Sequence, residues 1–137
     1  DFEQPKIVWG EISDRSKFAF EEKGKYIPEA TTFFMTGKDL PYLFCVLNAP
    51  LSEWLFSKVG TTTGVGTVRW KKYTILSLIV PNIKEELRSR FNEIVNLLMQ
   101  GRVSLDEFSA KANRTLSELI GLTEEEVAYV ENYYASL

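Results

Sequence analysis

The sequence predicts an α+β protein: a mixed sheet with short helices, followed by a C-terminal helical part. Three observations carry that expectation. The first 80 residues hold short β-branched and aromatic runs separated by turn residues. From Asp39 onward the spacing of apolar residues changes to threes and fours. The last third holds two Ser/Thr-x-x-Glu patterns, each opening an apolar helical stripe.

Lys6-Ile7-Val8-Trp9 is a β-rich run after Pro5 and continues toward Ile12. Phe18-Ala19-Phe20 is a second short strand. Glu22-Lys23-Gly24-Lys25 is a turn signal, with Gly24 free to take a positive φ, and Tyr26-Ile27 returns as the partner strand. Thr31 to Thr36 is β-branched and aromatic and ends at Gly37. Asp39 is placed to cap a helix whose apolar positions are Leu40, Leu43, Phe44 and Leu47. Asn48 and Pro50 interrupt it. A second helix from about Leu51 places Leu51, Trp54, Leu55 and Val59 on one face and ends at Gly60. Thr61 to Gly66 is a loop by composition. Thr67 to Trp70 and Ile75 to Val80 read as strands, the second stopped by Pro81.

Beyond Pro81 the pattern is helical. Glu85 to Gln100 sets Leu87, Phe91, Ile94, Val95 and Leu98 on one stripe. Ser104 with Glu107 opens the next helix, whose face runs through Leu116, Leu119 and Ile120 to Gly121. Thr123 with Glu126 opens the last, with Val127, Val130 and Tyr134 facing in. The change near Pro81 divides an α/β part, residues 1–82, from a helical part, residues 83–137, the two packing together.

Composition bounds the function. The chain has 137 residues, 45% hydrophobic and 26% charged, which suits one well-cored domain. No apolar run approaches the roughly 18 residues of a membrane span. The chain opens Asp1-Phe2-Glu3-Gln4 with no initiator methionine, so it reads as a domain cut from a longer polypeptide. That polar, acidic start is unlike a secretion signal. The single cysteine, Cys45, excludes an intrachain disulfide and points to a cytoplasmic, reducing setting. The absence of histidine removes Ser-His-Asp triads, Cys-His dyads and His-bearing zinc sites.

Other chemistries fail on their spacing. Gly60, Gly64 and Gly66 are not followed by Gly-Lys-Ser/Thr, so no phosphate loop forms. They also follow a helix and precede a strand, the reverse of a dinucleotide fingerprint. Asp14, Glu21 and Lys23 only faintly resemble a nuclease metal site and suit a charged hairpin turn. Cys45 sits in an apolar stretch and reads as a small buried hydrophobe. Glu124-Glu125-Glu126 opens a helix, where negative charge complements the dipole. Trp9 and Trp54 read as core.

Charge is uneven. Residues 1–80 carry ten Lys/Arg and nine Asp/Glu; residues 81–137 carry six and ten. From Trp54 to Lys84 there is no acidic residue, while Lys58, Arg69, Lys71, Lys72 and Lys84 are basic. A local cationic stretch in an acidic chain fits a solvated face or a surface for an anionic partner. Here it combines hydroxyls, flexible backbone, cations and an aromatic: Lys58, Thr61, Thr62, Thr63, Arg69, Trp70, Lys71 and Lys72. Hydroxyls and glycine amides contact phosphates, and arginine reads guanine edges bidentately. Arg15 and Lys17, with Lys23 and Lys25, form a second basic ridge.

The order of segments adds a resemblance. Phe2-Glu3-Gln4-Pro5-Lys6-Ile7-Val8-Trp9 is followed by Gly24-Lys25-Tyr26, then Thr31-Thr32-Phe33-Phe34-Met35-Thr36-Gly37, then Tyr42-Leu43-Phe44-Cys45-Val46-Leu47-Asn48. Near the end comes Leu119-Ile120-Gly121-Leu122-Thr123-Glu124-Glu125-Glu126-Val127. This series resembles the TaqI-like C-terminal specificity domain. That is the target recognition domain of N6-adenine DNA methyltransferases and type IIG restriction-modification enzymes. The likeness spans about Pro5 to Glu131 and rests on order and spacing rather than on one motif. The chain has Leu47-Asn48-Ala49 where the family often has Leu-Asn-Ser, and Val80-Pro81-Asn82 where it often has Pro-Ile-Pro. Both departures fall at structural positions.

The resemblance implies a non-catalytic piece that grips and reads double-stranded DNA. The catalytic methyltransferase domain of the same polypeptide would bind S-adenosylmethionine and hold the flipped adenine, and it would lie upstream. No cofactor or metal is expected in the present chain, and no base contact carries over from the family. Lys58, Arg69, Lys71 and Lys72 would meet phosphates or base edges, with Thr61, Thr62 and Thr63 positioning the backbone and Arg15 and Lys17 as a second set. The alternative is a protein-interaction module that docks through the helical part, near Tyr129, Tyr133 and Tyr134.

Overall fold

A computed structural model describes residues 4–10, 12–13, 18–22, 32–59, 61–62, 68–69 and 80–137. The class is α+β, as the sequence predicts. Among the described residues there are six strands and five helices. The strands are β1 (Lys6–Gly10), β2 (Ile12–Ser13), β3 (Ala19–Glu21), β4 (Thr32–Met35), β5 (Thr61–Thr62) and β6 (Val68–Arg69). The helices are α1 (Leu40–Asn48), α2 (Pro50–Val59), α3 (Glu85–Met99), α4 (Leu105–Ile120) and α5 (Glu124–Ala135).

The described pairings form two three-stranded sheets, ordered β3-β1-β4 and β2-β6-β5. All of them are antiparallel, where the sequence suggested a mixed sheet. For β1 with β3 and β5 with β6 the short links account for this, since parallel neighbours need a long crossover. In the first sheet Ile7 stands between Phe20 and Met35. Ile7 and Trp9 are buried, two residues apart and so on one face. Thr61 and Thr62, expected in a loop, are strand residues; they are β-branched and find a partner in β6. The expected Tyr26-Ile27 return strand and the run from 75 to 79 lie outside the described residues. Val80 to Lys84 has no regular structure.

Helix α1 is the centre of the molecule. It is apolar nearly all round, and seven of its residues are buried. Phe44 packs on Phe20 of β3 at 5.6 Å and stacks on Phe108 of α4 at 5.0 Å between ring centroids. Tyr42 lies 4.8 Å from Phe91 of α3, and its hydroxyl donates to the Pro81 carbonyl at 2.7 Å. One buried cluster therefore joins residues from both sides of position 82.

Helix ends follow the sequence, with one correction. Ser104 and Thr123 form complete capping boxes with Glu107 and Glu126. Gly121 ends α4 with a φ of 76°, and the Leu122 amide donates back to the Ser117 carbonyl at 3.0 Å. Asp39 precedes α1 but does not cap it through its side chain. It takes a left-handed φ of 57°, and its carboxylate receives Arg88 Nε at 2.8 Å. Pro41, at the second helical position, has no N–H to offer a cap. Ile120, expected on the inner face, is 43% exposed where the chain turns at Gly121.

Candidate nucleic-acid interface

The basic stretch begins at the end of α2. Lys58 lies in its last turn and is exposed. A cation there complements the negative end of the helix dipole. Its Nζ sits 5.5 Å from the centroid of the Trp54 ring, one turn back. No carboxylate partners Lys58 among the described residues. Trp54 is half-buried rather than wholly core, and this keeps the indole face within reach of the lysine.

From Val59 the chain leads directly into β5. Thr61 pairs with Arg69 and Thr62 with Val68. On the other side of β6, Ile12 pairs with Arg69 and Ser13 with Val68. Arg69 is thus a central-strand residue, with Thr61 across one ladder and Ile12 across the other. The backbone brings Lys58, Thr61, Thr62 and Arg69 into one neighbourhood. Thr63, Trp70, Lys71, Lys72, Arg15 and Lys17 lie outside the described residues.

Strand direction adds a constraint that the sequence could not supply. Because β6 runs antiparallel to both neighbours, its Arg69 end lies beside the starts of β2 and β5. Its Val68 end lies beside the exits of those two strands. The Arg69 end of β6 is therefore the end at which β5 begins after α2.

A second cationic grouping escaped the sequence reading. Lys38, Tyr42, Asn82 and Arg88 line a cleft at the start of α1. Arg88 is held by Asp39 and by Glu85, the latter at 2.7 Å. Those carboxylates raise the guanidinium pKa, with the Glu85 bond the larger cause. Its charge is committed within the protein, so it is a poor phosphate ligand. Lys38 is 20 positions before Lys58 in the chain, and no local pattern marks it.

Among the described residues no group of three or more His, Cys, Asp or Glu side chains is arranged to hold a metal ion. Glu21 of the faint nuclease pattern instead meets Lys6 Nζ at 3.4 Å; Asp14 and Lys23 lie outside the described residues. Cys45 is buried, and burial pushes its thiol pKa far up, which disfavours the thiolate a nucleophile needs. No helix among the described residues is long and apolar enough to cross a membrane. No protein-family model matches the chain, and no curated protein matches its sequence.

Proposed function

We propose that this chain is the DNA sequence-recognition domain of a restriction-modification adenine-N6 methyltransferase. It binds duplex DNA and directs a catalytic domain of the same polypeptide, which binds S-adenosylmethionine, to its site. The setting is cytoplasmic. The observation that carries the reading is the ordered series of segments from Phe2 to Asn48 and from Leu119 to Val127. Two further features support it. The acid-free stretch from Trp54 to Lys84 contributes α2's exposed Lys58 and two strands of one sheet. The register then sets Thr61 beside Arg69.

In this reading Lys58, Lys71 and Lys72 meet phosphates, the threonines and the backbone N–H groups of the Thr61–Gly66 segment add neutral phosphate contacts, and Arg69 reaches a phosphate or a guanine edge. Arg15 and Lys17 supply a second set of contacts.

Fluorescence anisotropy with random duplex DNA across a salt series tests the grip. Affinity is expected to fall linearly in log–log form, with a slope of about 0.9 per phosphate contact. Lys58→Glu is expected to weaken binding to all sequences and to reduce that slope by about one. In the full-length enzyme, Arg69→Glu combined with Lys71→Glu is expected to abolish site methylation while S-adenosylmethionine binding is retained. Normal methylation by that double variant would show that this face does not hold DNA.

A further inference from the structure

Helices α2 and α5 leave a groove of about 360 Å³ between them. Its walls are Leu51, Trp54, Leu122 and Tyr129, and its rim carries Glu125 and Glu126. Tyr129 is 62% exposed, and its ring meets Trp54 edge-on at 6.4 Å between centroids. An aromatic pair left half in solvent is costly to keep bare. Glu124, Glu125 and Glu126 form the first turn of α5, and Glu124 lies 3.9 Å from Arg114 of α4. Glu125 has no hydrogen bond or ion pair among the described residues, and Glu126 takes one from the Thr123 amide at 3.0 Å. Three carboxylates repel a phosphate backbone, so nucleic acid does not fit here.

We propose that this groove binds a short helical segment of a partner protein. The segment inserts a bulky aliphatic side chain against Trp54, Leu122 and Tyr129, and it carries Lys or Arg one turn away, facing Glu125 and Glu126. Apolar walls with a rim of one charge are what helix-in-groove recognition requires. The choice of a basic partner follows from Glu125, whose exposed carboxylate has no ion pair among the described residues, beside Glu126. The groove adjoins the proposed DNA surface only through Trp54, whose ring also lies beside Lys58, and none of its walls belongs to the β2-β6-β5 sheet.

The test uses the full chain and a fluorescein-labelled helical peptide of about 14 residues, long enough for modest helicity. Leu occupies one face of the peptide at helical spacing, and Lys fills the other. Two control peptides replace every Lys by Glu, or every Leu by Ala. The Leu/Lys peptide is expected to bind, and each control to bind at least about tenfold more weakly. Tyr129→Ala and Glu125→Lys, both at exposed positions, are expected to weaken the Leu/Lys peptide about five- to tenfold with unchanged melting, and the uncharged Tyr129→Ala change to leave affinity for random duplex DNA unchanged. Absence of Leu/Lys binding, equal binding of the Glu peptide, or indifference to both variants would overturn the proposal. So would a dimer in sedimentation that Tyr129→Ala dissolves, because it would assign the groove to a second copy of the chain.

Discussion

Asn48 shows how much one buried side chain can fix. It is 5% exposed at the end of α1. Its amide donates to the carbonyls of Phe18 and Phe44 at 3.2 and 3.0 Å, and its oxygen receives the Phe18 amide at 3.3 Å. The side chain therefore serves both backbone groups of Phe18, the residue that leads into β3, and ties that strand to the central helix. Asn48→Leu would remove these three hydrogen bonds, each worth about 0.5–1.5 kcal/mol. Urea unfolding is expected to register a destabilisation of that order. Asn48→Asp is expected to destabilise at least as much at neutral pH, since it buries a carboxylate facing the Phe18 and Phe44 carbonyl oxygens. A variant as stable as the parent would mean that Phe18 finds other partners.

At the scale of elements, the helices differ in where their caps come from. Helices α4 and α5 are capped by their own sequence, through Ser104 with Glu107 and Thr123 with Glu126. Thr123→Ala is expected to cost about 1 kcal/mol in thermal or urea unfolding. The bonds from Thr123, the backbone bond first, also hold the Glu126 carboxyl below its usual pKa. A pKa lowered by folding adds stability that is complete above the unfolded value, about 4.3. That stability is lost as pH falls through the folded value. Carboxyl titration by NMR is expected to show a depressed Glu126 in the parent and a smaller depression in Thr123→Ala, which keeps the backbone donor and loses the hydroxyl. Helix α2 has no such local device. It follows Ala49, and the Leu51 amide is satisfied instead by Asn113 Oδ1 of α4 at 2.9 Å. Asn113 is 1% exposed, so this cap sits within the core.

That contrast explains what the sequence made legible. The capping boxes, the stripes of α3 and α4, the buried Cys45 and the strands around Ile7 and Phe33 all rest on neighbours within a few residues. The Asn113 cap, the Asp39–Arg88 pair and the two-sheet arrangement depend on partners 49 to 62 residues away or on strand pairing. No local pattern encodes those. The candidate interface divides the same way. Its residue types were visible, and the register of Thr61 against Arg69 was not.

For the whole molecule, the shared core has a direct consequence. Phe91, Phe108 and Asn113 all lie beyond position 82, yet they cover Tyr42 and Phe44 and complete the start of α2. A chain ending at residue 82 would expose the inner faces of α1 and lose the α2 cap. It is expected to show no cooperative melting transition and to bind the dye ANS, while the full chain melts in one step. A folded 1–82 fragment would mean that the α/β part carries its own core.

The buried thiol offers a last consequence, one of timing. Cys45 is the only cysteine in the chain, has 0% exposure, and points its sulfur toward the Phe91 carbonyl at 3.8 Å. A thiol reagent can reach it only when α1 parts from α3. The labelling rate, divided by that of an unfolded thiol, therefore reports how often the centre of the molecule opens. The protein carries its own clock for core opening. Adding duplex DNA or the helical peptide should slow that clock only insofar as the ligand holds the closed state, and each contact surface can be timed separately with the same atom.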